Sequence, residues 1–253
     1  MNKNTDQSFD AIIDKFANNI YGSTKGQLRH ELLLHYLQQY INLAERSLDI
    51  IDVGGGTGIM CEALAKYNHR LTYNDISEQA VLLAKSNLAQ LSNIEFNCGS
   101  LTELPDSKHY DLLICHAVLE WLVSPFEAIE KMLSMVRVGG VLSISFFNQD
   151  AHRFGNLLYG NFDYVEAGLK NKNTVRLNPN NALKPAEVLS YLSEKSVEVI
   201  HTAGIRWFHD YLQDRSMQQS RYQQIKSLEL EYGTREPYKW LGKYFHIILR
   251  RTA

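Results

Sequence analysis

Cysteine is scarce in this chain of 253 residues: Cys61, Cys98 and Cys115 are its only three, and no two stand in CxxC spacing. That argues against a disulfide framework and against a cysteine-held zinc site. Long apolar stretches are missing too. The longest, Val138–Phe147, is far too short to cross a bilayer, and the polar stretch Met1–Asp10 lacks the apolar centre of a signal peptide. The expectation is a soluble, cytoplasmic protein. Charge is nearly balanced, with 26 Lys and Arg against 28 Asp and Glu, which argues against bulk, non-specific nucleic-acid binding. The balance hides an asymmetry of −7 over residues 1–150 and +5 over 151–253. The second part therefore has room for one anionic macromolecule at a local patch. No internal repeat and no Pro-, Ser- or Gly-rich linker divides the chain. At this length roughly 70–75% of the unfolded surface is buried on folding, so the core needs no covalent staple.

What is present is a rhythm. Thr24-Lys-Gly-Gln27 offers a capping box for a helix whose Leu28, Leu32, Tyr36, Tyr40 and Leu43 share one face. Strands are expected at Leu48–Val53, Arg70–Asp75, Ile94–Asn97, Tyr110–Cys115 and Val138–Phe147. Helices are expected between them at Ile59–Tyr67, from Ser77 to about Ala89, and from Pro125 to about Val136. Such alternation implies an α/β, doubly wound, mostly parallel sheet with helices on both faces. Residues 150–185 break the rhythm, rich in Asn and Gly and without a clear period, and read as a functional insertion. A helix at Pro185–Lys195, a strand at Val197–Arg206, a helix at Tyr211–Tyr232 and a strand at Lys243–Arg250 complete the pattern.

The strongest motif is Asp52-Val-Gly-Gly-Gly-Thr-Gly58, which follows a strand and opens a helix, with Asp75 ending the next strand. Gly54, Gly56 and Gly58 allow a tight turn and close backbone approach to a ligand. An acidic residue some 20 positions on suits the hydroxyls of an adenosine ribose. The alternative is that the glycines merely pack strand against helix. Nicotinamide and S-adenosylmethionine sites share this geometry. Asp52 before the first glycine, the GxGxG spacing, and Val138-Gly-Gly-Val-Leu142, which resembles the entry to the fifth strand of class I methyltransferases, favour S-adenosylmethionine. Ser100 and Leu101 stand where an adenine edge would lie, and His116 follows the fourth strand at the carboxyl end of the sheet. Trp121 reads as core.

Several further segments resemble one family. Asn19-Ile-Tyr-Gly-Ser-Thr-Lys-Gly-Gln-Leu-Arg29, His116-Ala-Val-Leu-Glu-Trp121, Gly160-Asn-Phe-Asp-Tyr-Val165, Arg206-Trp-Phe-His-Asp-Tyr-Leu212 and Arg235-Glu-Pro-Tyr238 are similar to motifs of the bacterial tRNA 5-carboxymethoxyuridine methyltransferases, the CmoM family. The resemblance runs from about Phe9 to His246. It implies a Rossmann-like seven-stranded sheet of order 3-2-1-4-5-7-6 with an antiparallel seventh strand. It also implies a single methyltransferase domain: an N-terminal helical cap over 1–47, a cofactor-binding half over 48–148, and a substrate insertion with the C-terminal half over 149–253. The implied reaction is methyl transfer from S-adenosylmethionine to the carboxylate of 5-carboxymethoxyuridine at the wobble position. The implied partner is the tRNA anticodon stem-loop. Arg29, Gly54, Gly55, Asp75, Ser100, Leu101 and His116 would touch the cofactor, Arg29 through a bidentate pair with the methionine carboxylate. The segment Leu169–Leu177, with Lys170, Lys172 and Arg176, is less basic than the family pattern.

A carboxylate with pKa of about 4 is ionised at neutral pH and already nucleophilic, so no catalytic base and no metal is expected. Lys25, Arg206 and Tyr211 are candidates to hold it, with Tyr21 and His209 for hydrogen bonds. A wobble base lies in a single-stranded loop and can be stacked on an aromatic ring; Tyr21, Phe162, Tyr164, Trp207 and Phe208 are the candidates. Arg215, Arg221 and Lys226 could meet phosphates or lie on a solvated helix. Competing functions are methylation of another free carboxylate such as a malonyl-carrier protein, a nicotinamide dehydrogenase, and a non-catalytic adenosylmethionine-binding module.

Overall fold

A computed structural model of the protein describes residues 23–170 and 181–253. Short apolar runs between turn residues become strands. In chain order β1 is Asp49–Val53, β2 Arg70–Asp75, β3 Ile94–Cys98, β4 Tyr110–His116, β5 Val136–Phe147, β6 Val197–Ile205 and β7 Tyr244–Arg251. They form one sheet in the order β3-β2-β1-β4-β5-β7-β6. β7 runs antiparallel to both of its neighbours, β5 and β6, and the pairs among β1 to β5 are parallel.

Neighbouring strand residues point to opposite layers, as a period of two demands. Ile50, Leu112, Ile114 and Ile248 pack under α1 (Thr24–Tyr40), α2 (Ile59–Ala65) and α3 (Glu78–Asn87). Ile51, Leu113, Cys115 and Ile247 pack under α4 (Pro125–Met135) and α7 (Pro185–Ser193). Both faces are covered, so the central strands are apolar throughout, the mark of a doubly wound sheet. The chain leaves β1 for β2 on one side and returns to β4 on the other. That reversal opens a crevice at the carboxyl ends of the strands.

Three elements differ from the sequence expectation. α1 is capped by Ser23, whose Oγ accepts from the Gly26 amide at 3.3 Å, so Thr24 is the first helical residue and not the cap. The insertion is helical: α5 spans Gln149–Leu158 and α6 Phe162–Glu166. Asn148, fully buried, starts α5 by accepting from the Asp150 and Ala151 amides at 3.0 and 3.3 Å. Only Ala151 and Gly155 of α5 are buried, a stripe too small to register as apolar periodicity. Finally, the expected helix over Tyr211–Tyr232 is divided into α8 (Met217–Ser220) and α9 (Tyr222–Tyr232). Asp214 turns the chain before α8 by accepting from the Ser216 amide and hydroxyl at 2.9 and 2.6 Å.

Candidate active site

The glycine loop leaves β1 and is stapled to the end of β2. Gly54 and Gly55 donate to the Asn74 carbonyl at 2.8 and 3.1 Å, and Tyr73 donates its hydroxyl to the Gly56 carbonyl at 2.6 Å. Asp75 accepts from the Gly56 amide at 3.0 Å through one oxygen and from the Ser77 amide at 2.9 Å through the other. Asp75 is half-buried at the end of β2, where the crevice opens. Gly54 has φ +68°, and a Cβ there would stand 2.3 Å from Val118 Cγ2. Only glycine lets this loop and the one after β4 come so close.

Ser100 and Leu101 lie beside Asp75, because the Gly99 amide donates to the Asp75 carbonyl at 3.0 Å. The Ser100 side chain and amide are both used within their own turn, with the Thr102 amide and Glu103 Oε2. Asp52 sits beneath the loop, 4% exposed, its Oδ2 3.8 Å from Cys61 Sγ. Burial, with Asp75 nearby, pushes its carboxyl up to about 7.

His116 closes the crevice from β4. Its Nε2 lies 2.8 Å from Ser143 Oγ on β5, which lies 2.9 Å from His246 Nε2 on β7. One serine hydroxyl can donate to only one of the two rings. His246 is fully buried, and among the described residues its Nδ1 has no partner. A bare ring nitrogen is easier to leave there than an N–H, so His246 donates to Ser143 and Ser143 donates to His116. The proton of His116 is then on Nδ1, the nitrogen turned away from this chain. Burial first, then Arg29 and His30, push His116 down to about 3, so its ring is neutral.

The half of the site formed by α1, β6 and β7 is cationic. The Arg29 guanidinium lies 5.2 Å from the centre of the Tyr244 ring and that of Arg206 5.4 Å. Arg206 directly follows β6 with φ +58° and is 8% exposed. It is held there by Asp210 Oδ2 at 2.9 Å and by the Lys25 carbonyl at 3.4 Å. His209 Nδ1 meets the other oxygen of Asp210 at 2.7 Å. Burial opposes ionisation of Asp210, but Arg206 and His209 hold its carboxyl well below the usual range. The turn itself is tied by Glu229, fully buried, which accepts from the amides of Trp207, Phe208 and His209 at 2.9, 3.2 and 3.0 Å.

Other expected substrate residues are placed differently. Tyr211 is occupied internally, its hydroxyl 3.1 and 3.0 Å from the carbonyls of Ala151 and Leu241. Trp207 packs against Phe208, Tyr232 and Tyr238. Phe162 is exposed, while Tyr164 is half-buried with its hydroxyl 3.3 Å from His152 Nε2. Both line a cavity of about 750 Å³ with His152, Asn156 and Asn161. Tyr21, Lys172 and Arg176 lie outside the described residues. Trp121 is half-buried rather than core.

Two residues that sequence reasoning passed over stand in the same region. Glu120 is fully buried, and among the described residues neither oxygen makes a hydrogen bond; burial pushes its carboxyl up to about 7, opposed by the nearby Arg29 charge. Lys243 is half-buried beneath the Arg206 turn, its Nζ 5.1 Å from the centre of the Phe147 ring. Nothing in the sequence separates it from any strand-edge lysine. Among the described residues no group of three or more His, Cys, Asp and Glu could hold a metal ion, and no helix is long and apolar enough to cross a membrane.

Residues 51–144 match the methyltransferase domain family. The tRNA 5-carboxymethoxyuridine methyltransferase of Escherichia coli (strain K12) is 36% identical over 257 aligned positions, 97% of either chain. A malonyl-[acyl-carrier protein] O-methyltransferase of Halalkalibacterium halodurans is 30% identical over 107 positions, 40% of either chain. Among solved structures, the magnesium protoporphyrin IX methyltransferase of Synechocystis PCC 6803, with bound SAH, has a TM-score of 0.63 at 18% identity over 96% of each chain. Sheet order, glycine loop and these matches define a class I S-adenosylmethionine-dependent methyltransferase. Within that class the chain belongs to the tRNA 5-carboxymethoxyuridine methyltransferase family.

Proposed function

We propose that this protein methylates the carboxylate of 5-carboxymethoxyuridine at the wobble position of tRNA in the cytoplasm, giving the methyl ester. The observation that carries the reading is the convergence of Lys25, Arg29, Arg206 and Lys243 at one end of the cofactor crevice, where Asp210 is already paired with Arg206. A cationic recess of that kind suits an anionic acceptor.

In this reading the backbone of Gly54, Gly55 and Gly56 lets the cofactor approach, and Asp75 takes the ribose hydroxyls. The Ser100–Leu101 turn faces the adenine edge. Arg29 pairs with the methionine carboxylate, and the Nδ1–H of neutral His116 donates to an acceptor in the crevice. When bound, S-adenosylmethionine supplies an electrophilic methyl group on a sulfonium. The substrate carboxylate is ionised at neutral pH and needs no base. The protein's part is to orient it and exclude water, and orientation alone supplies roughly 7–11 kcal/mol in well-positioned systems. Arg206 contributes field at the recess without leaving Asp210. The flipped base is stacked near Phe162 and Tyr164, each such contact worth about 1–3 kcal/mol. His209 and Tyr211 shape the recess through Asp210 and through α5.

The test is a methyl-transfer assay with labelled S-adenosylmethionine and two tRNA pools. One pool lacks only the methyl ester and the other lacks the carboxymethoxy group. Label on the first pool alone, released by mild alkali, supports the reading. Binding of the cofactor with no label on either pool refutes it, and a malonyl-carrier protein becomes the next acceptor to try.

A further inference from the structure

Lys243 is anchored through its backbone and unanswered through its side chain. Its amide donates to the Arg206 carbonyl at 3.4 Å and its carbonyl accepts from the Asn148 amide at 3.1 Å. Asn148 in turn donates its side-chain amide to the carbonyls of Trp240 and Gly242 at 2.8 and 3.0 Å. The end of β6, the start of β7 and the start of α5 are thus tied at this one residue. Its side chain lies on the Phe147 ring, and Nζ would be 3.9 Å from a Cβ at Gly155, an ordinary contact distance that places α5 directly beside it. Yet among the described residues Nζ has neither a hydrogen bond nor an ion pair.

The surroundings make that vacancy costly. Burial disfavours the ammonium, Asp210 favours it, and Arg206 and Lys25 oppose it. Asp210 already serves Arg206 and His209, so it is not released to Lys243. A half-buried ammonium among other cations is relieved most simply by an anion that arrives with a ligand.

We infer that Lys243 binds the carboxylate of the substrate uridine, through one oxygen, and so distinguishes the carboxylated nucleoside from its neutral precursors; the inference rests on the reaction proposed above. Lysine suits the task better than arginine. A guanidinium fork tends to take both carboxylate oxygens, but one of them has to attack the methyl carbon. A compact ammonium holds one and leaves the other free. The Arg206 fork is already engaged with Asp210 and the Lys25 carbonyl. A tRNA phosphate could offer the same anionic oxygen, but Lys243 is roofed by α5 and floored by Phe147, which favours a group carried in on the flipped base over the exposed backbone.

The experiment uses the full-length protein and its Lys243→Met and Lys243→Arg variants. Binding is measured to tRNA carrying 5-carboxymethoxyuridine and to the same tRNA without the carboxymethoxy group. Steady-state methyl transfer and S-adenosylmethionine affinity are measured in parallel. Expected for Lys243→Met is an affinity for the carboxylated tRNA weaker by about 10–100-fold and a matching rise in KM. Affinity for the other tRNA and for S-adenosylmethionine should stay unchanged, which also shows that the variant is folded. Lys243→Arg should restore part of the binding but less of kcat. Equal weakening toward both tRNAs would assign Lys243 to a phosphate and overturn the inference, as would no weakening toward either. If the wild-type protein itself neither prefers nor methylates the carboxylated tRNA, the proposed reaction fails and this inference with it.

Discussion

Gly54→Ala is the sharpest test of how the cofactor loop is built. Two separate costs follow from the structure. The residue has φ +68°, a left-handed conformation that costs an L-residue about 1–2 kcal/mol. The new Cβ would stand 2.3 Å from Val118 Cγ2, an overlap in the range where overpacking costs about 1–3 kcal/mol. Together they make about 2–5 kcal/mol, and at about 2–4 °C per kcal/mol for a chain of this size the fall in Tm is easily measured. The two costs can be separated. Val118→Ala removes Cγ2 and with it the overlap, while leaving the backbone conformation as it was. Introduced into a Val118→Ala background, Gly54→Ala should cost only its backbone share, about 1–2 kcal/mol. Urea unfolding of the four proteins gives the coupling directly. S-adenosylmethionine affinity should follow it, because Val118 stands two residues after His116 and a displaced Val118 moves that loop. If Gly54→Ala costs the same with and without the valine methyls, the close approach of the two loops is not what requires glycine there.

Two further predictions concern titration. With 15N-labelled histidine, His116 should stay neutral from pH 8 to pH 5 with its proton on Nδ1, and Ser143→Ala should disturb that tautomer; a proton on Nε2 in the wild-type protein would reverse the hydrogen-bond direction argued for the His246–Ser143–His116 chain. Stability should fall as the pH drops from about 6.5 to 4.5, and fall more steeply on further acidification. In that window Asp52, Glu120 and Glu229, each pushed up to about 7 by burial, hold protons that the unfolded chain has released. His116, His152, His201 and His246, together with His30, His35 and His69, are all pushed down by burial and lack protons that the unfolded chain has bound. The first set loses stability as pH rises and the second as pH falls, and the second, being the larger, outweighs the first. Below about pH 4.5 the three raised carboxyls are protonated in both states, while the histidines and depressed carboxylates such as Asp111 and Asp210 take up protons only in the unfolded chain, so stability drops by up to about 1.4 kcal/mol per pH unit for each. Urea unfolding across pH 3.5–7 checks this, and a protein that gains stability in acid would contradict it.

What could be read from the sequence depended on how far apart the interacting residues stand. The glycine loop and Asp75 belong to one strand–turn–helix–strand unit, so spacing alone places the Gly56 amide near that carboxylate, and the structure has them 3.0 Å apart. The short apolar strands were equally visible, because burial on both faces leaves little choice of residue. α5 was not, since a helix that approaches its neighbours through Ala151 and Gly155 has no apolar stripe to detect. Arg206 and His209 were found only as parts of a family motif; that Asp210 holds both is a fact of the folded turn. Ser143 and His246 stand 103 positions apart and meet only because β7 is inserted between β5 and β6. Lys243 is the extreme case. Its neighbours in sequence are those of an ordinary strand entry, and its isolation appears only when β6, β7 and α5 close around it. Local spacing therefore reveals the cofactor half, where one segment does the work. The substrate half is assembled from α1, α5, β6 and β7, so its chemistry is a property of the packing and has to be tested there.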